Sequence, residues 1–305
     1  MKSTRWPEAS QRCSVRADER DDWMLGTAFP AARLLLVEQP LPWGSEGLRS
    51  SRFDRETALA LEARGREQGV RVQAIRRPGG GPESPGRRWM LVDTRDETSR
   101  IRSGEFADDA ELLELPLDAP GVADPDPIYL VCSHGRHDPC CGQRGRPVVA
   151  ALAAVRPDRV WQASHLGGCR FAPTVLVLPL GLMYGRVPAS AAHELVAATE
   201  AGQLATDGML RGRIGMPPAA QAALGFTHEH LATRRVRDLS LVSTNTVDQA
   251  TVMVRLSGPQ GVFDVTVERT RVDAAGLTCA APGPSLFVAH RPTGIAPVTQ
   301  EALGT

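Results

Sequence analysis

The sequence predicts an α/β protein in which helices cover a β-sheet, followed by a smaller α+β appendage. Three observations carry this. Short apolar runs of β type alternate with helical segments between residues 33 and 202. The order β-α-β-β begins twice, once near residue 33 and again near residue 128. From about residue 208 the pattern changes to a short helix and hairpins.

Residues 1–22 are polar and charged and read as a loose arm. RLLLVEQP (33–40) is a buried-strand type of run, ended by Pro40 and Pro42. DRETALALEARGREQG (54–69) reads as an amphipathic helix with Gly69 as its stop. VRVQAIRR (70–77) alternates with period two and is a strand, PGGGPESPG (78–86) is a turn, and RRWMLVDT (87–94) is another strand. DAPGVADPDP (118–127) has three prolines in ten residues and no periodicity, so it reads as a linker.

The second run opens with the strand IYLVCSHG (128–135). A helix is expected over PVVAALAAVRP (147–157), with Pro147 in its first turn. RVWQASH (159–165) is a strand, TVLVLPLGLMYGRV (174–187) a hairpin turning near Pro179–Gly181, and SAAHELVAATEAG (190–202) a helix closed by Gly202. The order β-α-β-β-β-α resembles a thioredoxin-like β-sheet/helix sandwich, and two related halves are expected. The domains then run 23–120, 126–207 with the cysteine loops, and 208–305 as a C-terminal appendage with a hairpin around Ser257–Gly261.

At 305 residues, 42% hydrophobic and 23% charged, the chain has the composition of a soluble globular protein of about two domains. Its formal charge is zero, and this balance offers nothing to nucleic acid or an anionic membrane. Lys2 is the only lysine, which reads as the codon usage of a GC-rich bacterium. No apolar run reaches membrane-spanning length, and the N-terminal residues lack the apolar core of a secretory signal. A cytoplasmic location is therefore expected. In that reducing compartment six cysteines point to metal or redox chemistry rather than to structural disulfides.

Four of the six lie within residues 132–169, in CSHGRHDPCC (132–141) and SHLGGCRFAPT (164–174). Cys132 follows a strand and Cys141 closes its loop as C-x8-C; His165 ends a strand, and H-x3-C places Cys169 across Gly167–Gly168. Thiolates and imidazole on two glycine-rich loops suit a [2Fe–2S] cluster, which needs four such ligands. Zinc on a Cys3His set is the competing occupant, although its usual short C-x2–4-C knuckles are missing. Cys140 is a possible substitute for Cys141. His134 and His137 read as surface residues or neighbours of the ligands, Arg136, Arg144 and Arg170 as solvated charge or tuning groups, and Cys13 and Cys279 as inert core cysteines.

The same segments resemble the sucrase/ferredoxin-like family of thioredoxin-like ferredoxins. The resemblance is carried by C-S-H-G-R-H-D-P-C-C-G (132–142), by S-H-L-G-G-C-R-F-A-P-T-V-L-V-L-P (164–179) and by G-L-M-Y-G-R (181–186). Weaker similarity comes from G-T-A (26–28), L-L-V-E-Q-P-L-P-W-G (35–44) and V-Q-A-I-R-R (72–77). It covers roughly residues 13–230. It implies a [2Fe–2S] cluster with Cys132 and Cys141 as the cysteine pair and His165 as the first histidine. Relatives commonly carry H-x-G-G-H in the second loop; here Cys169 stands at the place of the second histidine, so the implied set is three cysteines and one histidine.

The reading is a non-enzymatic electron carrier or redox sensor with a redox partner protein that the sequence does not name. The alternatives are a thiol-disulfide oxidoreductase, which the absence of C-x-x-C disfavours, and a structural zinc protein acting as an interaction module. Sucrase activity is not expected, because no paired carboxylates are evident.

Overall fold

The apolar run after residue 32 forms a strand whose two faces enter different cores. The structure, a computed structural model, describes residues 6–40, 42–79, 86–95, 100–117, 126–205 and 208–299. A short helix, α1 (Cys13–Glu19), precedes β1 (Arg33–Glu38), α2 (Arg55–Glu67), β2 (Val70–Arg76), β3 (Arg87–Asp93) and β4 (Arg100–Phe106). A second set follows: β5 (Ile128–Cys132), α3 (Pro139–Val155), β6 (Val160–Ala163), β7 (Val175–Leu178), β8 (Leu182–Tyr184) and α4 (Ala192–Glu200). Then come β9 (Leu210–Arg213), α5 (Pro218–His230), β10 (Ser240–Thr246), β11 (Thr251–Gly258), β12 (Gly261–Ala275) and β13 (Pro284–Pro297).

β1 to β9 form one sheet in the order β4-β3-β1-β2-β6-β5-β7-β8-β9. In the second set β5 is parallel to β6 and antiparallel to β7, which pairs antiparallel with β8. That is the strand order of a thioredoxin-like sandwich. The first set has the same pairing pattern, with β1 parallel to β2 and antiparallel to β3. The two sets meet along β2 and β6, through Ile75↔Ala163 and Arg76↔Gln162.

Side-chain alternation sorts the residues into layers. Leu35 and Val37 of β1 pack with Ala58 and Leu61 of α2 on one outer face. On the same side of the sheet, across the β2–β6 seam, Tyr129 and Val131 of β5 pack with Val148 and Leu152 of α3 and Leu195 of α4. The intervening residues, Leu34, Leu36, Leu130, Cys132, Trp161 and Leu176, share a central core that holds all six cysteines. The helices therefore lie outside, and the opposite face of the sheet gathers around the cysteines. A second sheet, β10-β11-β12-β13, packs its apolar side on α5.

Several elements differ from expectation. Residues 13–19, expected within a loose arm, form α1 and bury Cys13, Ser14 and Ala17. The helix expected from Pro147 begins at Pro139. Asp138 caps it by accepting from the Cys140 amide at 2.9 Å, and Pro139 takes a first-turn position where a missing N–H costs nothing. Pro147 lies inside this helix, and Cys141 sits on its first turn rather than at the end of a loop. β4 was not anticipated, and β9, within the expected appendage, extends the edge of the nine-stranded sheet. The helix after Pro217 runs 13 residues rather than forming a short piece. Most of the proline-rich stretch 118–127 and residues 80–85 of the glycine-rich turn lie outside the described residues. Among the described residues no helix is long and apolar enough to cross a membrane.

Candidate metal centre

β5 and β6 run parallel, with Cys132 level with Ala163, so the loops after them leave the sheet side by side. The first loop turns from Cys132 into α3; the second carries His165 to Cys169. Close packing brings α3 onto the strand end. A Cβ at Gly145 would stand 2.2 Å from the Cys132 carbonyl oxygen, so only glycine permits this approach. In the second loop Gly168 is left-handed at φ +67°, and a Cβ there would meet the Arg211 guanidinium at 2.5 Å.

The structure joins the four predicted residues into a chain of contacts. Cys141 hydrogen-bonds to Cys132 and to Cys169 through sulfur, and Cys169 Sγ lies 3.4 Å from His165 Nδ1. All three cysteines are buried, whereas His165 is half-buried. Backbone amides of Leu166 and His134 donate to the Cys132 sulfur. Through the Cys141 thiol and these amides, Cys132 is held below the ordinary thiol range, while the Cys132 and Cys169 hydrogen bonds and burial push Cys141 well above it. Cys141 lowers Cys169, but burial and the charges of Asp138 and Cys132 outweigh it and raise the net value. Burial, reinforced by His137 and Arg71, depresses His165 to about 3, so its imidazole is neutral at pH 7 with a lone pair to give.

Cys140 does not join this group. Its sulfur lies 3.6 Å from Cys13 Sγ and 3.6 Å from Cys279 Sγ, and Asp138 stands beside them. Cys13 and Cys279, expected as inert core residues, thus converge with Cys140 from opposite ends of the chain.

The first half of the chain holds the histidines. His134 donates from Nε2 to the Gly44 carbonyl at 2.6 Å, and His137 Nδ1 bonds the Ser45 carbonyl at 3.1 Å. Trp43 is a packing residue: it is 3% exposed and contacts His134 edge-on. The rings of His137 and His165 stack with centroids 3.8 Å apart. Ligand atoms of His137, His165 and Cys169 all lie within 4.8 Å of one another, so His137 stands closer to the ligands than its reading as a surface residue implied. The three histidines face a cleft of about 780 Å³ that also includes Gly47, Arg71 and Gln73.

Arg211 is the residue the sequence reading missed. It is 2% exposed and donates to the Gly167 carbonyl at 2.9 Å and the Thr27 carbonyl at 2.5 Å. Burial lowers its pKa to about 10, so it remains a cation beside the three thiols. Arg71 similarly holds the His165 carbonyl at 3.1 Å. Of the arginines singled out in sequence, Arg144 pairs with Asp18 at 3.0 Å and Arg170 with Asp22 at 3.3 Å, while Arg136 is exposed.

Among curated proteins none matches the sequence. Among solved structures, a thioredoxin-like [2Fe–2S] ferredoxin from Aquifex aeolicus is 24% identical, covering 30% of this chain and 94% of that one with a TM-score of 0.27. A cysteine-to-serine variant of the ferredoxin is 22% identical over 29% of this chain and all of that one, with a TM-score of 0.26. Residues 24–212 match the model of the sucrase/ferredoxin-like family, and the chain belongs to that family.

Proposed function

We propose that this protein is an electron carrier or redox sensor that holds a [2Fe–2S] cluster through Cys132, Cys141, His165 and Cys169. The carrying observation is the grouping of these side chains. Cys132 with Cys141, and Cys169 with His165, make two contacting pairs joined through Cys141 and Cys169. Two irons need two ligand pairs, and a mononuclear ion needs only one set. The donor chemistry fits as well: three thiols and an imidazole already neutral at pH 7.

When bound, such a cluster takes up and releases one electron at a time. The chain's own residues set the conditions for that exchange. Arg211 and the amides of His134 and Leu166 place positive charge against the sulfurs, which favours the reduced, more negative state. The helices and apolar core exclude water from the three cysteines. His165, half-buried at the cleft, is the edge nearest an approaching partner.

A thiol-disulfide oxidoreductase needs an accessible attacking thiolate, and all six cysteines are buried. Reductive titration of anaerobically purified protein tests the proposal. A reddish-brown visible spectrum that bleaches with one electron per chain is expected; a colourless protein would rule it out.

A further inference from the structure

Outside the four cluster residues, the described chain has a second meeting point of soft ligands. Cys13 at the start of α1, Cys140 on the first turn of α3 and Cys279 in the loop between β12 and β13 bring their sulfurs into a triangle. All three edges measure 3.6 Å. Asp138, fully buried, places Oδ2 3.5 Å from Cys13 Sγ. We propose that Cys13, Cys140, Cys279 and Asp138 hold a single zinc ion, which staples the N-terminal helix and the C-terminal loop onto the first turn of α3.

Magnitudes decide for one ion. Tetrahedral zinc with bonds of about 2.3 Å to sulfur separates its thiolates by about 3.8 Å, close to every edge of this triangle. A dinuclear cluster would put at least one of the three sulfurs on a second metal and lengthen two of the three edges. A disulfide would pull two sulfurs to about 2.0 Å and strand the third, whereas the three edges here are equal.

The surroundings are built for negative charge. The Cys13 amide donates to Cys279 Sγ at 3.4 Å, and the Ser14 amide donates to the Cys140 sulfur. The Ser14 hydroxyl beside it is 1% exposed and donates to the same sulfur. Asp138 accepts from the Cys140 and Cys279 amides, each at 2.9 Å, which fixes both carboxylate oxygens while leaving each a further lone pair. Arg20 and Arg170 lie near enough to feel the charge of Cys13.

Cys13 and Cys279 are 266 residues apart and both fall outside the family match. The site thus ties two segments outside the family match to the helix that carries Cys141. Closing such long loops through one ion restricts the unfolded chain as a cross-link does.

The test counts metals in full-length protein purified without oxygen and dialysed against zinc. About one zinc per chain is expected beside the iron. Cys13→Ser and Cys279→Ser should each lose the zinc and keep iron, sulfide and visible spectrum, whereas Cys132→Ser should lose iron and keep zinc. X-ray absorption at the zinc edge of the wild type should give three sulfurs at about 2.3 Å and one oxygen near 2.0 Å, a reading that does not depend on any variant folding. Absence of zinc, copper in its place, retention of zinc in both serine variants, or a mass two protons light from a disulfide would each overturn the proposal. Because zinc and iron are counted separately, failure of this site and failure of the cluster reading are distinguishable.

Discussion

Cys140 and Cys141 are consecutive in the chain, yet their sulfurs join different groups. Cys140 meets Cys13 and Cys279 at 3.6 Å each, while Cys141 bonds Cys132 and Cys169. On a helix, neighbouring side chains diverge by about 100°, so the first turn of α3 directs its two sulfurs into two different groups.

This divergence predicts opposite outcomes for adjacent substitutions. Cys141→Ser should bleach the protein, because hydroxyl is a poor replacement for a buried thiolate ligand. Cys140→Ser should retain the visible spectrum. Iron content and absorbance of the two variants check this, and the reverse result would reassign the ligand.

His165 and His137 are separated in the same way. His165→Ala should lose or strongly destabilise the cluster, and His137→Ala should keep it, since His137 Nδ1 is already committed to the Ser45 carbonyl. Retention in His165→Ala together with loss in His137→Ala would place the iron on His137.

Arg211 predicts a stability effect. Replacing it with Met removes charged hydrogen bonds to the half-buried Gly167 and Thr27 carbonyls. A loss of roughly 2–4 kcal/mol is expected from such bonds, together with weaker cluster retention as the Gly167–Gly168 turn loosens. Thermal unfolding with iron content measures both; an unchanged midpoint would contradict the role.

Much of this architecture was legible in the sequence, and its losses have definite causes. β1, β2, α2 and the β7–β8 hairpin follow from hydrophobic period and turn residues. The start of α3 did not, because glycine and paired cysteines around 140–145 look like loop, and Pro147 looks like a first turn. The signals were nonetheless local: Asp138 as cap and Pro139 behind it. β4, RIRSGEF, is a polar edge strand with little alternation to read. Arg211 is buried by tertiary packing alone, and nothing in its neighbours marks it. The pairing of Cys13 with Cys279 spans nearly the whole chain and leaves no local pattern.

Acid should destabilise the fold through its histidines. Burial depresses His134 to about 4 and His165 to about 3, below the ordinary value near 6.5. The unfolded chain therefore binds more protons than the folded one below pH 6.5. Stability from His134, which is not a proposed ligand, is complete above that pH and is lost as pH falls through 6.5 toward 4. For His134 the contribution is about 3 kcal/mol. Urea unfolding at pH 7, 6 and 5 should show it, with a shallower decline in His134→Gln, whose amide can still donate to Gly44. Equal declines in both proteins would contradict the assignment.

A histidine ligand also predicts proton coupling. With Nδ1 toward Cys169 and the metal, His165 keeps a titratable proton on Nε2 that is held more tightly in the reduced state. Between the two pKa values the potential should fall by about 59 mV per pH unit. His165→Cys, where it retains a cluster, should have a lower and pH-independent potential; a slope that survives would locate the proton elsewhere, with His134 and His137 next.

The most direct measurement is the iron and acid-labile sulfide content of protein purified without oxygen. If Cys132, Cys141, His165 and Cys169 hold a [2Fe–2S] cluster, iron and sulfide should each be close to two per chain. Protein that is fully folded, carries zinc alone and releases no sulfide would contradict it.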